Sequence, residues 1–442
     1  MKAEQQILQH HHNDKHLIKR LLHACIQESL LPFAVKDNAL SIPLIRSQKT
    51  IVVENVQCYA LRKFKLKGEV NLTGKNDQQA LENMPQLLNL IHQELESIID
   101  IKKWKQFITE INNCIANDSL VSTSLRAATN QLLENIKKSK HQRLIEYIST
   151  HYSTEKQLQF FETWAVNGHP YHPCHKTKLG FNKEAYLKFS PEFNEDIHLP
   201  IGAIAKSLMH VESEENDFIY TEWFAQNFPT QWQQWIQAML EHKLNEAYYY
   251  PIFIHPWQYE NVLKKLFSDH VHTKKIILFS NITLTTKASL SFRTLISQEN
   301  PQQPHIKLPV AVQSTSALRT VSPASVQNGP RLGKILRQIL LAENHFNHTL
   351  KFSYELYGLH INEKTDIAKN LSVIYRQNPA TLVQEKQLPM VVAALFVESP
   401  VSKLPIFIEL IQAATDNSLA AVQAYFDEYS KIVINAFLDL KY

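Results

Sequence analysis

Glycine is unusually scarce in this 442-residue chain: there are 8, where average usage of about 7% would give roughly 31. A backbone so poor in glycine excludes glycine-rich cradles. No GxxxxGK[ST], GxGxxG or GxSxG occurs, which argues against a P-loop, a dinucleotide fingerprint and an α/β-hydrolase elbow. Cysteine is also sparse: Cys25, Cys58, Cys114 and Cys174 are scattered without a CxxC. That pattern excludes a disulfide scaffold and fits a reducing, cytoplasmic compartment. Long apolar runs are missing. The longest, "MVVAALFV" at 390–397, is far short of the roughly 20 residues a membrane span needs. The N-terminal "MKAEQQILQHHHND" carries no apolar segment of a secretory signal. A net charge of +4 is too mild to imply a nucleic-acid partner.

What is present reads as an α+β chain of two or three domains. Residues 14–31 space Leu17, Ile18, Leu21, Leu22 and Cys25 as on one helix face. Residues 41–73 change to a β-rich meander. Residues 77–150 return to helix, with no proline between Pro85 and Pro170. Residues 202–245 read as helical. "YYYPIFIHPWQYENVLKKLF" reads as a strand at 248–254 running into a helix that starts at Pro256. Residues 274–296 read as a hairpin and 305–321 as two short strands. Helix resumes at about 331, and from 386 the chain looks almost wholly helical.

Two segments hold half the glycines. The first, "GHPYHPCHKTKLGF" at 168–181, places His169, His172 and His175 three residues apart. Pro170 and Pro173 prevent a regular helix that would align them. Zinc needs three or four converging ligands, and Lys176 and Lys178 would repel a cation. An anion cradle and a plain polar turn remain as readings beside the metal site. The second segment, "SVQNGPRLGK", reads as a turn at Asn328-Gly329 and ends a run of positive charge. Lys287, Arg293, Lys307, Arg319, Arg331, Lys334 and Arg337 face Glu299 alone between 285 and 337. As strand residues, Ser291 and Arg293 would share a face. With Thr294 they offer a guanidinium and two hydroxyls to a phosphate or carboxylate. The alternative is a basic surface face.

These stretches resemble, in order, the motifs of one family. "GHPYHPCHKTKLGF" is similar to the GHPxHPxxKxxxG signature of the IucA/IucC-like (aerobactin-synthetase-like) siderophore synthetases, also called NRPS-independent siderophore synthetases. "IHPWQ", "SLSFRT", "KLPVAVQSTSALRTVSPASVQNGPRLGKIL" and "LSVIYRQNP" resemble its later motifs, from about residue 160 onward. The resemblance implies a hand-like fold of thumb, fingers and palm. On this chain it divides as a thumb-like 1–160, a fingers-like ATP-binding 161–350 and the helical start of a palm at 351–442. It also implies an ATP-dependent acid–amine ligase of siderophore biosynthesis. Such an enzyme adenylates a citrate-type polycarboxylate and condenses it with an amine or hydroxyl. Ser291, Arg293 and Thr294 match the phosphate-binding S-x-R-T. Lys307 and Arg319 match the following basic pair, which carries catalysis. His169, His172 and Lys176 match the loop over the triphosphate. The cofactors implied are ATP and Mg2+, and members of the family often form homodimers.

The chain departs from the family where it stops. Members continue for well over a hundred further residues, which carry a His-x-x-Asn-type motif, an Arg-Asp motif and the acidic metal ligands. The palm is therefore expected to be incomplete here, with most magnesium ligands outside this chain and its activity in doubt. A nucleotide- or carboxylate-binding remnant without ligase activity is the competing function, and a zinc hydrolase built on the histidine loop is a third.

Overall fold

The computed structural model describes residues 15–59, 63–75, 77–165, 171–215, 217–343, 350–415 and 419–441. Contacts divide it into two compact units. The first takes residues up to 123 together with 167–179 and 313–317, and the second takes the remainder.

In the first unit, α1 (Lys15–Gln27) buries Leu17, Ile18, Leu21, Leu22 and Cys25, the face its spacing predicts. The meander is β1 (Ala34–Lys36), β2 (Ala39–Leu44), β3 (Lys49–Val53), β4 (Val56–Tyr59), β5 (Lys63–Leu66), β6 (Val70–Thr73) and β7 (Gln78–Ala80). Strands β1, β2, β3, β6 and β7 form an antiparallel sheet, and β4 and β5 pair separately. Period-two alternation turns Leu40, Ile42 and Leu44 inward from β2. They join α1 and α2 (Met84–Leu95) in one core. Asn83 caps α2 by accepting from the Gln86 N–H, with Pro85 in the first turn. Next comes α3 (Ile101–Lys138), of 38 residues. The long proline-free stretch permits this. Beyond residue 123 this helix passes into the second unit, which also takes α4 (Leu144–His151) and α5 (Thr154–Trp164).

The second unit is built on an eight-stranded antiparallel sheet. Its strands are β9 (Ile197–Ala205), β10 (Met209–Glu212), β11 (Tyr249–Phe253), β12 (Ile276–Ala288), β13 (Thr294–Ser297), β14 (His305–Lys307), β17 (Glu355–Ile361) and β18 (Ser372–Arg376). Between β14 and β17 lie the two-residue strands β15 (Gln313–Ser314) and β16 (Ala317–Leu318). The β8 strand (Lys178–Leu179) pairs with β15, and both belong to the first unit. The sheet order is β10-β17-β18-β14-β13-β12-β9-β11.

Three expectations need correction. Residues 202–205 and 209–212 are strand, joined by a single 3-10 turn at Lys206–Leu208, and within 202–245 α-helix is confined to α7 (Tyr220–Asn227) and α8 (Pro229–Glu241), which follow α6 (Lys183–Phe189) in the chain. "IHLPIGAIA" is buried along nearly its whole length, between β12 and β11, so it lacks the alternation that marks a strand. Residues 355–376 are mainly strand as well: β17 and β18 sit inside the sheet, with one helical turn at Thr365–Ala368 between them. Finally, helix α9 (Pro323–Ala342) starts at Pro323 rather than near 331. Ser322 caps it, and Gly329 and Pro330 lie inside it rather than in a turn. Only 406–441 of the C-terminal part is mainly helical, as α10 (Ile406–Ala414) and α11 (Leu419–Lys441).

The rare glycines mostly serve close packing. A Cβ at Gly358 of β17 would lie 2.5 Å from the Val326 Cγ1 of α9. Among the described glycines only Gly180 has positive φ, at 118°. Turns and helix ends use other residues instead. After α8, Lys243 stands at φ 56°, with its N–H on the Leu240 carbonyl and the Leu244 N–H on Met239. Ser29 after α1, at φ 56°, and Lys274, at φ 57°, repeat this arrangement.

Candidate functional site

In the first unit the histidine loop lies along one face of α3. Glu110, Asn113, Cys114, Asn117 and Asp118 recur at helical spacing. Each meets the loop. The Thr177 hydroxyl donates to the Glu110 carbonyl at 2.7 Å. The Lys178 N–H donates to Asn113 Oδ1 at 2.8 Å, and Asn117 Nδ2 donates to the Lys176 carbonyl at 2.9 Å. Cys114 Sγ accepts from the Lys176 N–H at 3.4 Å and lies 3.6 Å from His175 Nδ1. Asp118 Oδ1 is 3.5 Å from His175 Nε2, and His16 Nε2 is 3.0 Å from its other oxygen. This face satisfies a backbone that cannot form a helix of its own.

Burial pushes His175 down to about 4, with Asp118 opposing and Arg20 and Lys176 reinforcing. The imidazole is therefore neutral at pH 7. Burial would raise Asp118, but its histidine partners hold it well below the usual carboxylate range. Burial also drives the Cys114 thiol up to about 11. That protonated thiol is a packing and hydrogen-bonding group, not a nucleophile.

In the second unit the cations gather around Glu355. β17 and β18 pair Glu355 with Arg376, and β13 and β14 pair Thr294 with Lys307. Glu355 Oε1 accepts from Arg376 NH2 at 2.7 Å and from Lys307 Nζ at 3.0 Å. Burial would raise Glu355, but Arg376 and Lys307 overcome it and hold the carboxyl below its ordinary value. Arg293 donates to the Thr320 carbonyl. Burial, then the charges of Arg319 and Arg376, push its guanidinium below the ordinary arginine value, while Glu355 pulls it back. Four cations thus act on a half-buried space with two carboxylates beside it: Glu355, and Glu162, which accepts the Leu290 N–H at 2.9 Å and which burial pushes up while that bond and Arg376 pull it down. Such a space attracts an anion of more than one charge.

Of the residues expected from sequence, Arg293, Lys307 and Arg319 belong to this cluster. Ser291 and Thr294 flank it, but Ser291 and Arg293 do not share a strand face. Residues 289–293 form the turn from β12 to β13, closed by the Ser289 N–H on the Thr294 carbonyl and the Thr294 N–H on Ser291. His172 and Lys176 sit on the loop in the first unit. His172 Nδ1 accepts the Cys174 N–H at 3.0 Å, and Lys176 is 2% exposed. His169 lies outside the described residues. Other bases of the run are engaged elsewhere: Lys287 donates to the Asn194 carbonyl, Lys334 pairs with Glu214, and Arg337 lies over the Tyr354 ring. The cluster is half-buried, not an exposed basic face.

Sequence reasoning missed Glu355, Arg376 and the polar face of α3. The period-3.6 recurrence of uncharged polar residues from Asn113 to Asn117 was a usable signal. The pairing of Glu355 with Arg376 was not, because it depends on the register of two strands. Magnesium takes oxygen ligands, and among the described residues no three His, Cys, Asp or Glu side chains converge as a metal site. No helix of the described residues is long and apolar enough to cross a membrane.

Comparison with known proteins agrees with this picture. The chain is 27% identical over 436 residues to staphyloferrin A synthase of Staphylococcus aureus, covering 95% of this chain and 71% of that protein. It is 28% identical over 292 residues to the D-ornithine–citrate ligase of the same organism, over 63% of this chain and 44% of the ligase. The structure of ATP-bound aerobactin synthetase IucA from Klebsiella pneumoniae superposes with a TM-score of 0.71 at 18% identity, over 90% of this chain and 66% of IucA. The model of the IucA / IucC family matches residues 157–397, more than half of the length, and the chain therefore belongs to that family.

Proposed function

We propose that this protein binds ATP at the Arg293–Lys307–Arg319–Arg376 cluster and uses it to activate a citrate-type carboxylate for siderophore synthesis. The observation that carries the reading is the gathering of four cations around Glu355, with Glu162 as the other carboxylate beside them. The names of the relatives, a staphyloferrin synthase and a citrate ligase, supply the substrate class. A carboxylate oxygen of the substrate attacks the α-phosphorus, the bond to the β-phosphate oxygen breaks, and pyrophosphate leaves. An amine or hydroxyl then attacks the acyl carbon, loses its proton and expels AMP. Guanidinium and ammonium groups lower the repulsion between two anionic reactants and stabilise charge gathering on the leaving pyrophosphate.

In this reading Lys307 and Arg319 are the catalytic cations and Ser291, Arg293 and Thr294 bind phosphate. His169, His172 and Lys176, the remaining nucleotide-binding candidates, belong to the histidine loop. The described residues contain no ready magnesium cage, so no step is assigned to the metal. The family reading adds a cytoplasmic setting, association as a homodimer, and a division into a thumb-like 1–160, a fingers-like 161–350 and the start of a palm at 351–442.

The test is ATP–pyrophosphate exchange with magnesium and citrate, beside nucleotide titration. Wild-type protein should exchange label. Arg319→Ala and Lys307→Ala should weaken ATP binding while melting as wild type does. ATP binding without exchange, on folded protein, replaces the ligase with a binding protein. Unchanged ATP affinity in both variants removes the cluster from the site.

A further inference from the structure

Glu355 is an odd neighbour for a polyphosphate: it is the carboxylate at the centre of the cations that would bind one. Two observations indicate a purpose. A single oxygen, Oε1, takes both the Arg376 guanidinium at 2.7 Å and the Lys307 ammonium at 3.0 Å. The other oxygen points at Gly329 of α9, where a Cβ would lie 2.6 Å from Oε2 and 2.9 Å from the Glu355 Cβ. Any other residue at 329 would push the carboxylate aside. The chain spends one of its 8 glycines on this contact.

Charge-assisted bonds are short and directional. An ammonium has three N–H donors, so fixing one on Glu355 restricts where the other two point. A guanidinium fork held at NH2 is likewise fixed in plane. Lys307, Arg376 and Glu355 are each at most one-third exposed, at 18%, 33% and 19% of the side chain, so water screens the arrangement little. Without Glu355, four neighbouring cations would also repel and swing apart.

We infer that Glu355 is a positioning residue. It holds Lys307 and Arg376 in the orientation that a bound polyphosphate needs, and Gly329 keeps the space it requires. The inference rests on the nucleotide-site reading above. It differs from a simple structural ion pair in what it predicts for binding and turnover.

The experiment compares wild type, Glu355→Gln and Gly329→Ala in ATP–pyrophosphate exchange and in direct titration with inorganic pyrophosphate. Glu355→Gln removes one negative charge from the cluster. Pyrophosphate should bind it as tightly or more tightly at low salt, and KM for ATP should not rise. Its kcat should fall about 10- to 100-fold, because the cations are misdirected by a fraction of an ångström to an ångström. Gly329→Ala leaves every charge in place but displaces the carboxylate. It should lower kcat in the same range and weaken pyrophosphate binding.

Wild-type kcat in Glu355→Gln overturns the inference while leaving the ligase reading intact. Pyrophosphate affinity that collapses together with the melting temperature also overturns it, marking a merely structural pair. If Glu355→Gln does not fold, Gly329→Ala decides alone: lowered kcat supports the inference, and wild-type kcat overturns it. If wild type shows no exchange, the ligase reading fails separately. The pyrophosphate titrations then decide: opposite shifts in the two variants support positioning, and identical affinities refute it.

Discussion

Acid should unfold this protein through three histidines that the fold keeps neutral. His255 is 1% exposed, neither ring nitrogen has a hydrogen-bond partner among the described residues, and burial pushes it down to about 3. Burial, aided by Arg376, pushes His305 down to about 4, and His175 also stands at about 4. In the unfolded chain each returns to about 6.5. Above that value both states are neutral, and the histidines cost nothing. As pH falls below it, the unfolded chain takes up protons that the folded chain refuses, so stability is lost. Between pH 7 and pH 5 each site loses about 2 kcal/mol, a figure set by the unfolded value because the folded ones lie so much lower. His255 and His305 belong to one unit and His175 to the other. The losses are therefore about 4 and about 2 kcal/mol against a typical stability of about 5–15. Urea titrations at pH 7, 6, 5.5 and 5, followed by tryptophan fluorescence, measure this. Replacing His255 by Gln should cut the slope by about 1.4 kcal/mol per pH unit. A total loss under about 1 kcal/mol across that range would show that these rings find protons or partners in the fold, and the reasoning would be wrong.

Asn117→Ala removes the donor to the Lys176 carbonyl and should cost about 1–3 kcal/mol. Slower hydrogen exchange, or no change, in residues 171–179 would count against α3 as the support of that loop. Gly358→Ala drives a methyl against Val326 of α9 and to 3.2 Å from the Val373 carbonyl. It should destabilise by about 1–3 kcal/mol, and wild-type stability would show that α9 lifts freely from the sheet.

Sequence made the local features legible. Helix α1 shows a clean apolar face, β2 a clean alternation, and Pro256 starts a short helix as expected. Strand β9 was hidden because burial on both sides erases alternation. Strands β17 and β18 were hidden for the same reason, since runs of consecutive residues in each are buried. The site followed the same division. Arg293, Lys307 and Arg319 stood out as charge in one run. Glu355 and Arg376 join them only through strand register, which no local pattern encodes. The Ser291–Arg293 pairing failed for a local reason: Ser289 folds the chain into a turn through its own hydroxyl, which accepts the Ser291 N–H at 3.1 Å.

The lysines at helix ends have a consequence for the unfolded chain. A lysine held left-handed costs about 1–2 kcal/mol in the fold. A glycine there would cost about 0.5–1 kcal/mol through the extra freedom it gives the unfolded chain. The chain has exchanged entropy of the disordered state for strain in the ordered one, and the two nearly cancel. That near-balance explains how a protein of this size manages with so few glycines. The small remainder is open to engineering: Lys243→Gly should gain roughly 0.5–1 kcal/mol, read as a raised urea midpoint at unchanged slope. A lowered midpoint would mean that the lysine side chain contributes more than its backbone strain costs.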